Sequence, residues 1–419
     1  MNAKYIDDPT KEEFKRLVNS RVIDKVLDVH AYKEATLCPL FVEPEEESIE
    51  ILQPDGSIVL EVNSNIYYEP PFGSICIDVK YEIDETYIYL GCIYKCWGHY
   101  ITDGLSKAWY LLTDEYKNKY SGRVKIAVSF IGNNVVSIPS QLLELYELLG
   151  VNTQDIIVVS EPTKIRELIV PDNSLFFHNG SRHFTKEYRN VINAITNSVE
   201  PIKSRKYEKV YLSRTRFTKG NADFGEKSLE NVFRLLGYKV MHPQEHSVRE
   251  QIAMFKTAKS FVSTTGSLGH NSVFCNPGTE IILLRKCFAI FDYQLVINEA
   301  KDLKVTYVDT HLSCFVNNQA NNGPFFLYRN ANFCSFVKDR YNLKVSKNFS
   351  TKRYMRYMRI CMMRGDMKYR NQAPDFYFEK LKYELQNDSW KRDIIKKLGP
   401  IVSTKILNKF TGTYFKNYR

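Results

Sequence analysis

Between Lys209 and Val308, short apolar runs alternate with stretches of helical periodicity, and that alternation limits the fold more than any other property of the chain. Strands that alternate with helices pack as a parallel sheet covered on its faces, because each helix must bury its apolar stripe against the sheet. The strand-like runs are Lys209–Leu212, Tyr238–Met241, Phe261–Ser263, Glu280–Leu284 and Val305–Val308; the helical stretches are about Lys227–Leu236 and Ser247–Lys259, with a short helix expected after Gly269. An earlier series shows the same alternation: strand Val124–Phe130, helix Ser140–Leu149, strand Asp155–Val159. Two α/β units in tandem imply a cleft between them. The polar, proline-bearing segment Glu200–Lys206 separates the two series and is the expected boundary.

A chain of 419 residues exceeds one ordinary core. It contains no apolar run of about eighteen residues, the length a spanning helix needs. The first residues, Met1 to Lys15, are charged throughout and lack a signal-like apolar stretch, so a cytoplasmic location is expected. The nine cysteines are scattered without paired metal-site spacing, as expected of free thiols in a reducing compartment. Charge is unevenly placed. Thr351–Arg419 carries 17 Lys and Arg against 6 Asp and Glu, a net of +11, and the residues before it sum to −1. In this tail, arginines 353, 356, 359 and 364 interleave with Tyr354, Tyr357 and several methionines. Further on, Ile394, Leu398, Ile401, Ile406 and Phe410 sit among lysines, the pattern of an amphipathic helix on an anionic membrane surface. The same stripe could instead pack on the protein body. A basic tail with tyrosines also suits nucleic acid, so the rival reading is a nucleic-acid-binding or structural α/β protein.

The residues with chemical potential lie at strand ends. In an open α/β sheet, ligands bind beyond the carboxyl ends of the strands. Strand Lys209–Leu212 delivers Arg214 and Arg216 there, where guanidinium forks suit a diphosphate. Strand Phe261–Ser263 runs into Gly266, Ser267 and Gly269, a turn that lets backbone N–H groups approach a phosphate, with Asn271 and Ser272 one turn on. Glu250 completes a capping box with Ser247, or reaches a ribose. Upstream, His99 and Asp103 stand four apart, on one face of a helix, so that Asp103 can hold the imidazole while its other nitrogen takes a proton. A salt pair has the same spacing. The chain contains no Asp-x-Asp, which disfavours an enzyme holding a nucleotide diphosphate through a metal on that motif.

The ordered set Tyr211-Leu212-Ser213-Arg214, Gly237-Tyr238, Ser247, Glu250-Gln251-Ile252, Phe255, Ala258, Gly266, Asn271, Phe274 and Pro277-Gly278 resembles glycosyltransferase family 61. Trp97, His99 and Asp103 are similar to an upstream element of that family, and the resemblance covers roughly residues 90–285. Two departures stand out: Thr265-Gly266-Ser267 where many members read His-Gly-Ala, and Gly225-Glu226 where they read Asn-Glu.

The resemblance implies a GT-B architecture, two Rossmann-like domains facing across a cleft. The acceptor-side domain would span 1–200, the nucleotide-sugar domain 206–345, and a basic helical extension 346–419. It further implies an inverting transferase that works without a metal. The donor would be a nucleotide sugar, a UDP-sugar first, and the acceptor a glycan or lipid-linked glycan. His99 supported by Asp103, or Asp103 directly, would be the base. Arg214, Arg216, Gly266, Ser267, Asn271 and Glu250 would bind the donor.

Overall fold

The computed structural model describes residues 2–6, 8–17, 19–39, 50–59, 76–94, 96–130, 138–217, 223–287, 290–312, 325–350, 352–354 and 357. The chain begins with β1 (Asn2–Tyr5) and α1 (Asp8–Leu17), followed by β2 (Val29–Leu37), β3 (Ile51–Leu52) and β4 (Tyr81–Ile93). Helix α2 (Trp97–Tyr100) leaves the end of β4; β5 (Lys125–Phe130), α3 (Ser140–Leu148), β6 (Ile156–Val159) and β7 (Thr163–Pro171) follow. These strands form a six-stranded sheet in the order β3-β2-β7-β4-β5-β6. Strands β7, β4, β5 and β6 are parallel, whereas β2 runs antiparallel against both β7 and β3. From β4 the chain winds outward through β5 and β6, then returns to β4's other side with β7. The reversal places a topological switch point at the carboxyl ends of β4 and β7.

Hairpin strands β8 (Leu175–His178) and β9 (Ser181–Phe184) come next. Their connection, Asn179-Gly180, has φ of 47° and 77°, the paired left-handed residues that a two-residue hairpin turn demands. Helix α4 (Lys186–Asn197) buries Tyr188, Val191, Ile192 and Ile195, the i, i+3, i+4, i+7 stripe of a core-packed helix. Each such side chain contributes roughly 1.5–3 kcal/mol on burial.

The second sheet is assembled from β10 (Lys209–Leu212), β12 (Lys239–Met241), β13 (Ser260–Thr264), β14 (Glu280–Arg285) and β15 (Lys304–Asp309), with β1 at its edge. A short strand β11 (Asp223–Phe224) precedes β12 in the chain and pairs in parallel with β16 (Phe325–Phe326). The order β1-β15-β14-β13-β10-β12 is parallel throughout. Strands β10, β13 and β14 are buried almost end to end, which is why they read as continuous apolar runs without alternation. Here too the winding reverses, between β10 and β13, and a second switch point results. Helices α5 (Glu226–Leu235), α6 (Val248–Thr257), α7 (Asp292–Ala300) and α8 (Ala331–Tyr341) complete the described elements.

One apolar core joins the sheets: Ile88, Ile126 and Val128 connect through α4 and through Ile252 and Phe255 of α6 to Val210, Phe261 and Ile281. The strands and helices expected between 124 and 308 all form within two residues of their expected ends, with one difference in kind. The segment Gly269–Phe274 is a six-residue 3₁₀ helix. Cys275, already extended, and Asn276 separate it from Pro277, and the residue before a proline avoids the α conformation, so the helix stays short. Of the basic tail, Tyr354 and Tyr357 pack with Leu312, Phe326 and Tyr328. The amphipathic stretch expected around 394–410 lies outside the described residues. Among the described residues no helix is long and apolar enough to cross a membrane.

Candidate active site

The first switch point builds the His99 cluster. Strand β4 ends at Ile93, and the single turn of α2 brings His99 round so that its Nδ1 lies 3.1 Å from Asp103 Oδ2. Tyr293, the second residue of α7, donates its hydroxyl to the same Asp103 oxygen and lies 3.1 Å from His99 Nδ1. Asp103 is 6 % exposed and His99 24 %. With Nδ1–H given to Asp103, the neutral imidazole keeps its basic lone pair on Nε2, an assignment that follows from the hydrogen-bond network. Stacking on Tyr94 at 5.5 Å and the edge of Tyr293 at 5.1 Å confine the ring.

Tyr293 is itself held. The Arg182 guanidinium, from β9, lies 3.7 Å from the ring centroid, a cation–π contact. Asp292 opens α7, where a carboxylate favours the helix dipole; it takes an ion pair from Arg21 and a backbone N–H from Arg182 at 2.6 Å. Segments distant in sequence thus aim one hydroxyl at the His99–Asp103 pair. The sequence reading missed Tyr293, because an aromatic residue at a helix start carries no local sign of such a role.

The second switch point builds the other wall. Arg214 follows β10; its backbone N–H goes to Glu226 Oε1 at 3.1 Å, and its Nε sits 3.7 Å from Asp223 Oδ2. Arg216, only two residues on, is 63 % exposed and paired with Glu245 at 2.6 Å. The two arginines therefore occupy different surroundings. Glu226 is fully buried, also accepts the Tyr211 hydroxyl, and has its carboxyl pushed well above the usual range by burial first and the charge of Asp223 second. Gly266 takes φ +95°, open to glycine and strained for other residues. Glu250 forms the complete capping box with Ser247, and Glu144 of α3 accepts the next two N–H groups of α6, each at 2.8 Å.

The two walls meet. A Cβ on Gly98 would lie 2.7 Å from Ser267 Oγ and 2.8 Å from His270 Nδ1, so α2 can approach the Gly266 turn this closely only with glycine there. Ser267 Oγ contacts Cys96 Sγ at 3.2 Å, and Asn271 accepts the Trp97 indole N–H at 3.0 Å. The turn's N–H groups are partly spent: that of His270 bonds Gly266 O at 3.2 Å and that of Asn271 bonds Leu268 O at 3.3 Å. His99, Asp103, Ser267 and Asn271 share one site with Gly266, while Arg216 and Glu250 stand apart from it in ion-pair and capping roles. Among the described residues no group of three or more His, Cys, Asp or Glu side chains is placed to hold a metal ion.

The family model for glycosyltransferase 61 matches residues 97–282, a span that opens on the His99 turn and ends inside β14. No curated protein matches the chain. Solved structures are weakly similar, two of them as follows. One is the dodecameric iron-containing heptosyltransferase TibC with ADP-D-β-D-heptose, at 10 % identity over 73 % of this chain and 86 % of that one, TM-score 0.25. The other is TibC from enterotoxigenic E. coli H10407, at 10 % identity over 72 % and 85 %, TM-score 0.27. Likenesses of that size carry no weight for fold or chemistry, so the family match stands on the ordered residues from Trp97 to Ile282, less than half of the chain; that segment is similar to glycosyltransferase 61, which supports a glycosyltransferase.

Proposed function

We propose that this enzyme is an inverting, metal-independent transferase of GT-B architecture that moves a sugar from a nucleotide-sugar donor, a UDP-sugar first among candidates, to a hydroxyl of a surface polysaccharide or lipid-linked glycan. The observation that carries the reading is the packing of the His99 turn against the Gly266 turn, each at the switch point of its own sheet. His99 Nε2 takes the acceptor hydroxyl proton as that oxygen bonds to the anomeric carbon. The bond from that carbon to the diphosphate breaks in the same displacement, its electron pair stays on the departing oxygen, and the anomeric centre inverts. Asp103 accepts from both His99 and Tyr293, which suits it to orient the imidazole and leaves His99 as the base. Arg214, at the β10 end, offsets charge growing on the diphosphate, an effect typically worth about 3 kcal/mol per well-placed donor.

Thermal unfolding in the presence of UDP, GDP, CMP and oligonucleotides tests the donor class. A nucleoside diphosphate at a hundred times its dissociation constant adds about 2.7 kcal/mol to stability and raises the melting temperature. Stabilisation by oligonucleotides alone, abolished by salt, would instead establish the nucleic-acid reading. Product mass from a donor screen then identifies the sugar.

The basic tail supports peripheral attachment of a cytoplasmic enzyme to an anionic membrane. Because Tyr354 and Tyr357 belong to a packed aromatic cluster, the deletion that tests this starts at residue 358. The truncated protein should keep its melting temperature and no longer sediment with phosphatidylserine vesicles; undiminished sedimentation would reject the attachment.

A further inference from the structure

Strands β10, β13 and β14 are neighbours in one parallel sheet, so their carboxyl ends open on the same edge. Arg214 follows β10, the Gly266 turn follows β13, and Lys286 follows β14 directly. At the usual strand spacing the ends of β10 and β14 lie about 10 Å apart, with the turn between them. Long cationic side chains on either flank can therefore reach one group seated on the turn.

Lys286 is 4 % exposed, yet among the described residues no carboxylate pairs with it. Its ammonium lies 4.2 Å from the Phe325 ring centroid, a contact that holds a cation without neutralising it. It also overhangs the turn, since a Cβ on Gly266 would sit 3.4 Å from both Lys286 Cε and Nζ. Next to it is a second unfilled group. His270 is 4 % exposed, and neither ring nitrogen has a hydrogen-bond partner. Burial above all, then the charges of His99, Lys286 and Arg182, push its pKa down to about 3, so the ring is neutral and has one N–H to give. A buried cation without a counter-charge and a buried imidazole without partners both cost stability. A ligand that brings negative charge and acceptor oxygens removes both costs. The backbone N–H groups of His270 and Asn271, already bonded inside the turn, supply little of what such a ligand needs.

We propose that Lys286, with His270 beside it, binds the diphosphate of the donor from the β14 side, opposite Arg214. The proposal rests on the nucleotide-sugar reading above and assigns the residue that carries most of the leaving group's charge. As the bond between the anomeric carbon and the diphosphate breaks, the electron pair stays on the diphosphate oxygen, whose charge faces the Lys286 side chain.

Calorimetric titration of the full chain with inorganic pyrophosphate, then with UDP and GDP, tests this in the wild type, Lys286→Met, Lys286→Arg and His270→Gln. Lys286→Met is expected to weaken pyrophosphate binding about tenfold or more, whereas Lys286→Arg stays within about threefold of wild type. His270→Gln, which retains an N–H donor, is expected to fall between them. The unliganded Lys286→Met protein should melt no lower than wild type, because it loses an unpaired charge and keeps the side-chain volume; should it fail to fold, Lys286→Gln replaces it. Equal pyrophosphate affinity in wild type and Lys286→Met overturns the proposal, as does a wild type that binds no pyrophosphate. Turnover of a nucleotide sugar with that equality leaves the transferase reading standing and removes only Lys286. Lysine-dependent pyrophosphate binding without turnover of any nucleotide sugar supports the anion site and removes the donor reading instead.

Discussion

Replacing His99 with alanine is expected to lower kcat about 10²–10⁴-fold, the contribution of one positioned acid–base group, with nucleoside diphosphate affinity nearly unchanged. The split follows from the layout. His99 stands on α2 at the end of β4, whereas the residues proposed to hold the diphosphate follow β10, β13 and β14. Asp103→Ala should cost a similar factor, because the imidazole then loses the partner that fixes which nitrogen carries the proton. Tyr293→Phe removes one donor to Asp103 and keeps the ring under Arg182, so its loss should be smaller, on the order of tenfold, a typical scale for one hydrogen bond to a charged group. Initial rates paired with nucleotide titrations check all three. Full turnover in both His99→Ala and Asp103→Ala would remove the pair from the mechanism. A parallel fall in nucleotide affinity would mean that the His99 turn supports the donor wall instead of acting on the acceptor.

How far the sequence revealed this arrangement depended on how local each signal was. Strands β10, β13 and β14 are buried on both faces, so their apolar runs stand out, and the Ser247–Glu250 capping box marks the start of α6 almost to the residue. Strand β4 did not stand out, although it occupies the centre of the first sheet. Its first half is exposed and carries Glu82, Asp84 and Glu85, and its register with β5 shifts between Tyr89 and Cys92 around the left-handed Gly91. That interruption breaks the period on which a strand is recognised. Arg214 and Arg216 look alike in sequence; only the fold sends one to the Asp223 side and the other to Glu245 on the surface. Tyr293 and Lys286 were invisible for a related reason. Their roles exist only because α7 and β14 return to segments far earlier in the chain, and no spacing rule spans such distances. The edge strand β1 has the same character, since its partner β15 lies near the other end of the described chain.

The largest expected loss of stability comes from a single methyl group at Gly225. This residue stands at the amino end of α5 with φ +92°, and a Cβ there would lie 1.9 Å from the carbonyl oxygen of Leu327. That carbonyl cannot swing away cheaply: the Leu327 N–H bonds Phe224 O at 2.7 Å, and the neighbouring residues pair β11 with β16. Gly225→Ala must therefore part these strands or shift the start of α5. The second course moves Glu226, whose Oε1 accepts the Arg214 backbone N–H, and so disturbs the β10 loop as well. Clashes of this severity cost about 3–5 kcal/mol, and a melting temperature about 3–6 °C below wild type is expected, with weaker nucleotide binding. Gly237, just past the other end of α5, is the control. Its φ is +81°, but a Cβ there meets nothing within 4 Å, so Gly237→Ala carries only backbone strain of about 1–2 kcal/mol. Scanning calorimetry on the two variants separates the causes, because strain is common to both and the Leu327 contact belongs to one. Equal shifts would mean that the carbonyl relaxes freely, and that the β11–β16 pair does not hold the Arg214 loop in place.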